Sequence, residues 1–244
     1  MKKIVSLLFF SLLLHLSVEA QQSFRFGFQA SPTFSSLRTS DKKIEGISSN
    51  WGLKLGMNGE YYFARNYAFI SGLGFGFNQG GTLQNGYEKG VFWPNSELSE
   101  PRFDTVPQNA KLYYRVNYVE IPFGLKMRGG SNEDSRIRYY AEIPVFTIGF
   151  RTKGVGGIRG TNAQNTEDED IRSDVNALSL SWGLGGGIEY EIASSATLVA
   201  GLAYQKQFTD LTRDKGTVLK NGAFVKEDSK ATVGLLSLRL GLFF

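Results

Sequence analysis

The chain has 244 residues, with 29 glycines, 14% aromatic residues and no cysteine. The lack of cysteine excludes a disulfide-stapled scaffold, and 27 basic against 23 acidic residues is too small an excess to indicate a nucleic-acid partner. Abundant glycine and aromatic residues at modest hydropathy are typical of a membrane β-barrel, in which only alternate residues face lipid. A secreted β-sandwich has a similar composition, so periodicity must decide between them.

The N-terminus has the pattern of a secretory signal peptide. Two lysines precede an uncharged apolar run from Ile4 to Leu16, and small residues follow at Val18 and Ala20. We predict cleavage after Ala20, so that residues 1–20 are removed and residues 21–244 form the mature domain. An uncleaved anchor helix is the alternative, but the run is short for a membrane span.

Eight later segments alternate between large apolar residues and polar or glycine residues. The predicted strands, in chain order, are 24–30, 51–63, 67–78, 112–127, 137–150, 175–192, 196–208 and 231–244. The alternation is clearest from Leu178 to Ile192, where every even position except Gly186 is large and apolar. A run of this length exceeds the usual five or six residues of a soluble strand and fits a tilted membrane-spanning strand.

The connections between these strands alternate in length. Long polar segments are 31–50, 79–111, 151–174 and 209–230, and short ones are 64–66, 128–136 and 193–195. Short periplasmic turns and long extracellular loops are the usual asymmetry of bacterial barrels. The sequence therefore predicts an all-β protein, a single eight-stranded antiparallel transmembrane barrel in contact with outer-membrane lipid.

The last segment resembles the C-terminal signature that the outer-membrane assembly machinery recognises. Its alternating apolar positions are Leu236, Leu238, Leu240, Leu242 and Phe244. We predict that Phe244 is an assembly signal and that the barrel-assembly machinery is a partner. An ordinary terminal strand of a soluble protein is the alternative.

Two tripeptides interrupt the alternation, Glu120-Ile121-Pro122 and Glu142-Ile143-Pro144. In the first of these strands, Leu112 to Tyr118 are apolar at even positions, whereas Ile121 to Met127 are apolar at odd positions. One extra residue in each strand, a β-bulge, would explain the change and accommodate proline. A turn centred near Asn132 would then place the two tripeptides opposite each other.

Charged residues at inward positions predict a charge network in the lumen. Its predicted members are Lys54, Arg115, Glu120, Lys126, Glu142, Glu189, Glu191 and Arg239. Glu120 and Glu142 could form a pair for acid/base chemistry or cation binding, or could be neutralised in a salt-bridged plug. We favour the plug, because an eight-stranded interior is only just wide enough for side chains.

The inventory of reactive residues argues against catalysis. The one histidine, His15, lies in the predicted signal peptide, so serine-histidine, cysteine-histidine and zinc chemistry are unavailable to the mature chain. We therefore predict no catalytic residues, cofactor or metal. The acidic run Glu167–Asp170 lacks the spacing of a calcium loop, and we interpret it as a solvated face.

The loop 79–111 carries more aromatic residues than a solvated loop needs. We interpret Tyr87, Phe92 and Trp93 as exposed side chains and candidate partner contacts. Folding of this loop over the barrel mouth is the alternative.

Several segments resemble the PorT-type outer-membrane β-barrel family of Bacteroidota. They are the segment Tyr118–Lys126 with its Tyr-x-Glu-Ile-Pro motif, the early strand Phe26–Ala30, and the glycine-rich strand Ser71–Phe75. The resemblance covers essentially the whole mature chain and implies a barrel without catalytic residues. For PorT itself it implies an accessory role in type IX protein secretion and gliding, with other secretion components as partners. A surface-binding or structural barrel that acts through its loops, and a small pore, are the alternatives.

Overall fold

The computed structural model describes residues 24–130, 136–160 and 165–244, so the predicted signal peptide lies outside the described residues. The strands are β1 (Phe24–Thr39), β2 (Ile44–Ala64), β3 (Tyr67–Asn85), β4 (Lys89–Val91), β5 (Val106–Pro107), β6 (Lys111–Gly129), β7 (Ile137–Arg159), β8 (Asn165–Asp170), β9 (Leu178–Ala193), β10 (Ala196–Gln207), β11 (Thr217–Lys220), β12 (Ala223–Lys226) and β13 (Ala231–Phe243). Short 3-10 turns span Pro101–Phe103 and Arg172–Asp174.

Eight of these strands close into an antiparallel ring, which confirms the predicted fold class. The wall strands follow the order β1, β2, β3, β6, β7, β9, β10 and β13. The ring closes where β13 pairs with β1, with Gly27 opposite Phe243 and Phe34 opposite Leu236. A closed ring leaves no wall strand with an unpaired edge.

The wall strands present alternate residues to the two sides of the ring. Large apolar side chains such as Leu202, Phe75 and Trp51 point outward and are exposed, while their neighbours point into the lumen. All eight predicted strands are present, but several run further than predicted toward the long loops. Most of the segment 31–50, for which the sequence predicts a loop, belongs to β1 and β2, and these two strands pair with each other as far as Ser36 opposite Ser49. We call this side the loop end and the opposite side, with the short turns, the turn end.

A hydrophobic core at the loop end explains why the strands are so long. We call this core and the segments that form it the cap. Its members include Leu83, Tyr87, Phe92, Trp93, Phe103, Val106, Leu112, Tyr114, Val116, Ile158, Ile171, Val175, Leu211, Val218 and Val233. The loops therefore fold across the mouth of the barrel and pack on the inner face of the extended strands. A second, four-stranded sheet in the cap has the order β12, β11, β4, β5.

The structure of β6 differs from the prediction that its outward positions switch from even to odd near Glu120. The inner face of this strand carries Tyr114 and Tyr118 in the cap and then Glu120 and Lys126 below it, all at even positions. The predicted bulge at Glu120 is therefore wrong, because the face does not change. Only the surroundings change, from apolar loops to a polar lumen, so the inward residues switch from apolar to charged.

The bulge predicted in the next strand is confirmed, but the facing of the two tripeptides is wrong. Along β7, the register shifts between Glu142 and Val145 against both neighbouring strands. Pro122 lies opposite Thr147, and Glu142 lies opposite Lys126. The two tripeptides therefore do not lie opposite each other. Each glutamate instead has its own cation, since Glu120 pairs with Lys54 and Glu142 with Arg239.

The cap corrects the predicted exposure of the loop aromatics as well. Tyr87, Phe92 and Trp93 are 7%, 9% and 4% exposed, so none of them offers a contact surface. Trp93 packs edge-to-face on Tyr114, with ring centroids 5.6 Å apart. The loop 79–111 folds over the mouth of the barrel, as the alternative prediction stated.

We predict that Phe92 and Trp93 are needed for a folded cap. Replacing both with Ser should open the cap, because truncating a buried aromatic costs about 3–5 kcal/mol. Limited proteolysis in detergent should then cleave the loops rapidly, while the heat-modifiable migration of the barrel persists. The matched control is Phe224→Ser, since Phe224 is an exposed cap aromatic. Equal protease resistance of the double variant and the control would contradict the packed cap.

Candidate functional site

The turn end of the lumen is closed by four charged residues, which we call the turn-end cluster: Arg25, Glu60, Lys126 and Glu189. The Lys126 ammonium lies 2.6 Å from Glu60 and 2.5 Å from Glu189. Arg25 approaches the same two carboxylates at 3.6 and 3.4 Å, and Tyr62 donates a hydrogen bond to Glu60 at 2.7 Å. Two cations and two anions leave the cluster neutral.

Burial makes this neutrality necessary. The side chain of Lys126 is 1% exposed, and those of Glu60 and Glu189 are each 2% exposed. An unpaired charge in such surroundings would be strongly unfavourable, whereas a hydrogen-bonded pair is tolerated. Lys126 also lies over the rings of Tyr140 and Phe243, at 4.6 and 5.5 Å from their centroids. The rings and charges together fill the lumen at this level.

Two further ion pairs lie midway along the lumen. Lys54 is 2.6 Å from both Glu120 and Gln205, and Gln79 donates to the second oxygen of Glu120 at 2.7 Å. Arg239 pairs with Glu142. Inward glycines make room for these groups. At Gly76, for example, an added Cβ would lie only 1.9 Å from the amide nitrogen of Gln79.

The mid-lumen pairs line a cavity of about 100 Å³ between the turn-end cluster and the cap. Its walls also carry hydroxyl and amide groups from Gln29, Ser31, Asn58, Thr147 and Ser237. The volume and the polar lining suit a few water molecules. The arrangement stabilises charges inside a narrow barrel.

The structure brings together most of the residues predicted for the lumen network, but it excludes two of them. Lys54, Glu120, Lys126, Glu142, Glu189 and Arg239 point into the lumen. Arg115 instead pairs with Asp168 on the outside of the cap, because odd positions of β6 face outward. Glu191 lies at the rim of the turn end, 4.0 Å from Arg138, with both side chains more than 40% exposed.

Sequence reasoning missed Arg25 and two glutamines, Gln79 and Gln205, and left Glu60 out of the network. The alternation already placed Glu60 inward, and Arg25 lies between outward Phe24 and Phe26. The register then sets Arg25 directly opposite Glu60. Counting the inward charges strand by strand would have found Arg25 and Glu60, because the positive and negative charges inside a narrow lumen must balance.

Two carboxylates of the region 165–174 hold the cap segments together. Asp174 accepts hydrogen bonds from the backbone and side chain of Asn95 and, at 2.6 Å, from Ser96. Glu169 accepts from Ser99 and Thr166. Burial alone would raise the pKa of Glu169, but these hydrogen bonds hold it below its ordinary value. Glu169 and Asp174 are therefore structural acceptors. The side chains of Glu167, Asp168 and Asp170 are exposed, as predicted for a solvated face.

Two other groups in the cap have raised pKa values. Burial raises the pKa of Glu227, which accepts hydrogen bonds from Ser229. The hydroxyl of Tyr87 donates to Asp41 at 2.6 Å, and this bond together with burial raises the pKa of Tyr87 to about 12. The cap is thus held by specific polar contacts as well as by its apolar core.

Within residues 24–130, 136–160 and 165–244, no group of three or more acidic, histidine or cysteine side chains is arranged to hold a metal ion. Within the same residues, no helix has the length and apolar character that a membrane span requires.

The closed ring, apolar exterior and salt-bridged lumen define a class, the plugged transmembrane β-barrels. The family comparison agrees: residues 19–213 match the model described as "Outer membrane protein beta-barrel domain". The chain belongs to this outer-membrane β-barrel family. Family and fold together indicate the bacterial outer membrane as its location.

The fold is similar to solved outer-membrane barrels at low sequence identity. Neisserial surface protein A is 12% identical with a TM-score of 0.40, covering 88% of this chain and 95% of its own. OprG from Pseudomonas aeruginosa is 12% identical with a TM-score of 0.43, covering 91% and 96%. Ail of Yersinia pestis is 14% identical with a TM-score of 0.37, covering 91% and 99%. A search of curated proteins found no match.

We predict that Lys126→Met destabilises the barrel by about 3–5 kcal/mol, because it leaves two buried carboxylates with only Arg25 to balance them. Urea unfolding in lipid vesicles, followed by tryptophan fluorescence, measures the change. Adding Glu60→Gln to this variant should restore part of the loss, since one anion then faces one cation.

The control is Arg138→Met, which removes a rim pair worth well under about 1 kcal/mol. If Lys126→Met and Arg138→Met unfold at the same urea concentration, the buried cluster does not stabilise the barrel.

Proposed function

We propose that this protein is a non-catalytic, non-conducting outer-membrane barrel that presents its folded extracellular cap to a macromolecular partner. The observation that carries this proposal is the closure of the lumen at both ends. The turn-end cluster fills one end, and the cap core covers the other. Because buried side chains of the described residues occupy both ends of the lumen, the cap is the surface through which we expect the barrel to act.

The same closure argues against the third alternative, a small pore. A solute would have to break the contacts of Lys126 with two carboxylates and displace the cap. We therefore predict no steady single-channel conductance when the purified protein is inserted into planar bilayers. Reproducible openings of the wild-type protein at moderate voltage would contradict a closed lumen.

The resemblance to PorT makes a component of the type IX secretion machinery the first candidate for the partner. The segment of β6 that resembles PorT, Tyr118–Lys126, contributes to each layer of the closed barrel. Its inward residues Tyr118, Glu120 and Lys126 contribute to the cap core, the mid-lumen pairs and the turn-end cluster in turn. One strand therefore joins all three layers of the closed barrel.

Deleting the gene tests this secretion role. We predict that substrates of the pathway then accumulate in the periplasm and that the wild-type gene restores their export. Cross-linking in native membranes followed by mass spectrometry should recover secretion components with the wild-type barrel. If export is unchanged and another partner is recovered, the secretion role fails while the surface-binding barrel, the second candidate, stands.

A further inference from the structure

Three neighbouring wall strands, β10, β13 and β1, carry polar groups on their outer face near the loop end. Lys206 lies opposite Gly234, and on its other side Gly234 lies opposite Ser36. Residues that lie opposite each other in antiparallel strands point to the same side of the sheet. Their chain neighbours Leu235 and Leu37 point inward and are 3% and 2% exposed. Lys206, Gly234 and Ser36 therefore face the outside of the barrel.

These outward groups lie next to the apolar belt, on its loop-end side. Two residues nearer the turn end, the same face of the same three strands carries Tyr204, Leu236 and Phe34, which are all exposed. Trp51 continues the row on β2, with its ring centroid 3.9 Å from that of Phe34. Exposed aromatic residues at strand ends mark the interface between membrane and water. Lys206 therefore lies at the boundary of the bilayer, and the loop end is the extracellular side in barrels of this kind.

Gly234 leaves a notch in the wall between Lys206 and Ser36. The nearest neighbours of a Cβ added at Gly234 would be the hydroxyl of Tyr204, at 3.8 Å, and the hydroxyl of Ser36, at 4.0 Å. The backbone of β13 forms the floor of this notch, and the two hydroxyls lie at its rim. A phosphate group has acceptor oxygens on several sides, so it can accept hydrogen bonds from more than one donor around such a notch.

The donors around the notch have no partner in the part of the chain that the structure describes. There, the ammonium of Lys206 and the hydroxyls of Tyr204 and Ser36 take part in no hydrogen bond or ion pair. Water cannot satisfy these groups where lipid covers the wall. They therefore need an acceptor that the lipid itself carries.

The charged groups of the neighbouring elements lie further toward the loop end than Gly234. They are Arg38, Glu45, Asp210, Asp228 and Lys230. Within the described residues, none of the three carboxylates is within ion-pair distance of Lys206. Asp210 instead accepts hydrogen bonds from Thr212 and from the N–H of Ala231. Lys206 is thus the charged side chain next to the belt in this sector, and no carboxylate neutralises it.

The position of the notch decides what covers it. It lies on the wall, beside residues that contact lipid, so a lipid of the outer leaflet covers it. The acyl chains of that lipid pack on Leu236 and Phe34, and its head group then lies at the level of Lys206. An ammonium at this depth attracts a head group that carries negative charge.

We propose that Lys206, Tyr204 and Ser36, around the notch at Gly234, form a binding site for the phosphate group of an outer-leaflet lipid. The ammonium and the two hydroxyls donate hydrogen bonds to the phosphate oxygens. This inference goes beyond the proposed function, because the site lies on the wall of the barrel and not on the cap.

The experiment uses the full protein in dodecyl maltoside micelles, which contain no phosphate, mixed with lipid A or with dephosphorylated lipid A. Native mass spectrometry measures how much of each lipid stays bound. We expect wild-type protein to retain about fivefold more lipid A than its dephosphorylated form, and Lys206→Met to lose this preference. Lys206→Arg should keep it, as should the control Lys220→Met, which removes an exposed lysine of the cap. Equal retention of the two lipids by wild-type protein, or an unchanged preference in Lys206→Met, would overturn the proposal.

Gly234→Leu tests the notch while the charge of Lys206 is kept. We expect it to lower the retention of lipid A as much as Lys206→Met does, because the side chain fills the space for the phosphate. The matched control is Ala200→Leu, which adds bulk on the same outer face, opposite Leu240 and further from the loop end. Heat-modifiable migration checks that each variant is folded. If Gly234→Leu and Ala200→Leu retain equal amounts of lipid A, the notch is not the site.

Inorganic phosphate separates a lipid from a soluble anion as the source of the phosphate. We expect an excess of it to displace little lipid A from wild-type protein, because the acyl chains contribute to binding. Complete displacement would show a site for a soluble anion and would overturn the assignment to lipid. All these measurements concern the wall alone, so their failure leaves the proposed role of the cap standing, and unchanged export after gene deletion leaves the lipid site standing.

Discussion

The structure depends on the need to neutralise charge inside a narrow barrel. An eight-stranded ring has room for side chains and little else, so each inward lysine or arginine must meet a carboxylate. Lys126 meets this condition by contacting Glu60 and Glu189 from two other strands. Because β2, β6 and β9 each supply one partner, the cluster ties distant parts of the ring together. The contact also fixes which face of each strand points inward.

Much of the barrel could be predicted from the sequence, because lipid imposes a period of two on each wall strand. The strands, their order and the bulge in β7 follow from that period and from proline chemistry. What could not be predicted is where lipid contact ends. In β6, Leu112 and Tyr114 are as apolar as residues that face lipid, yet they face the cap. Apolar character alone does not distinguish a bilayer from a protein core.

The residues of the candidate site, too, could be predicted only in part. Glu142 and Arg239 were both expected in the lumen, and the structure places them there as a pair. The expectation for Arg115 failed because its parity was judged from the apolar residues around it. Phe92 and Trp93 were expected to be exposed because they lie in a long loop, but loops that cover a barrel mouth form cores of their own.

We propose that the lumen is closed at both ends and that the cap surface is the accessible part of the barrel. The chain has no cysteine, so single cysteines report accessibility without background. Ser237→Cys in the mid-lumen and Phe224→Cys on the cap should be compared in intact cells and in purified vesicles with a membrane-impermeant maleimide. The account predicts rapid labelling at position 224 and almost none at position 237 from either side. Rapid labelling at position 237 in the folded protein would contradict it.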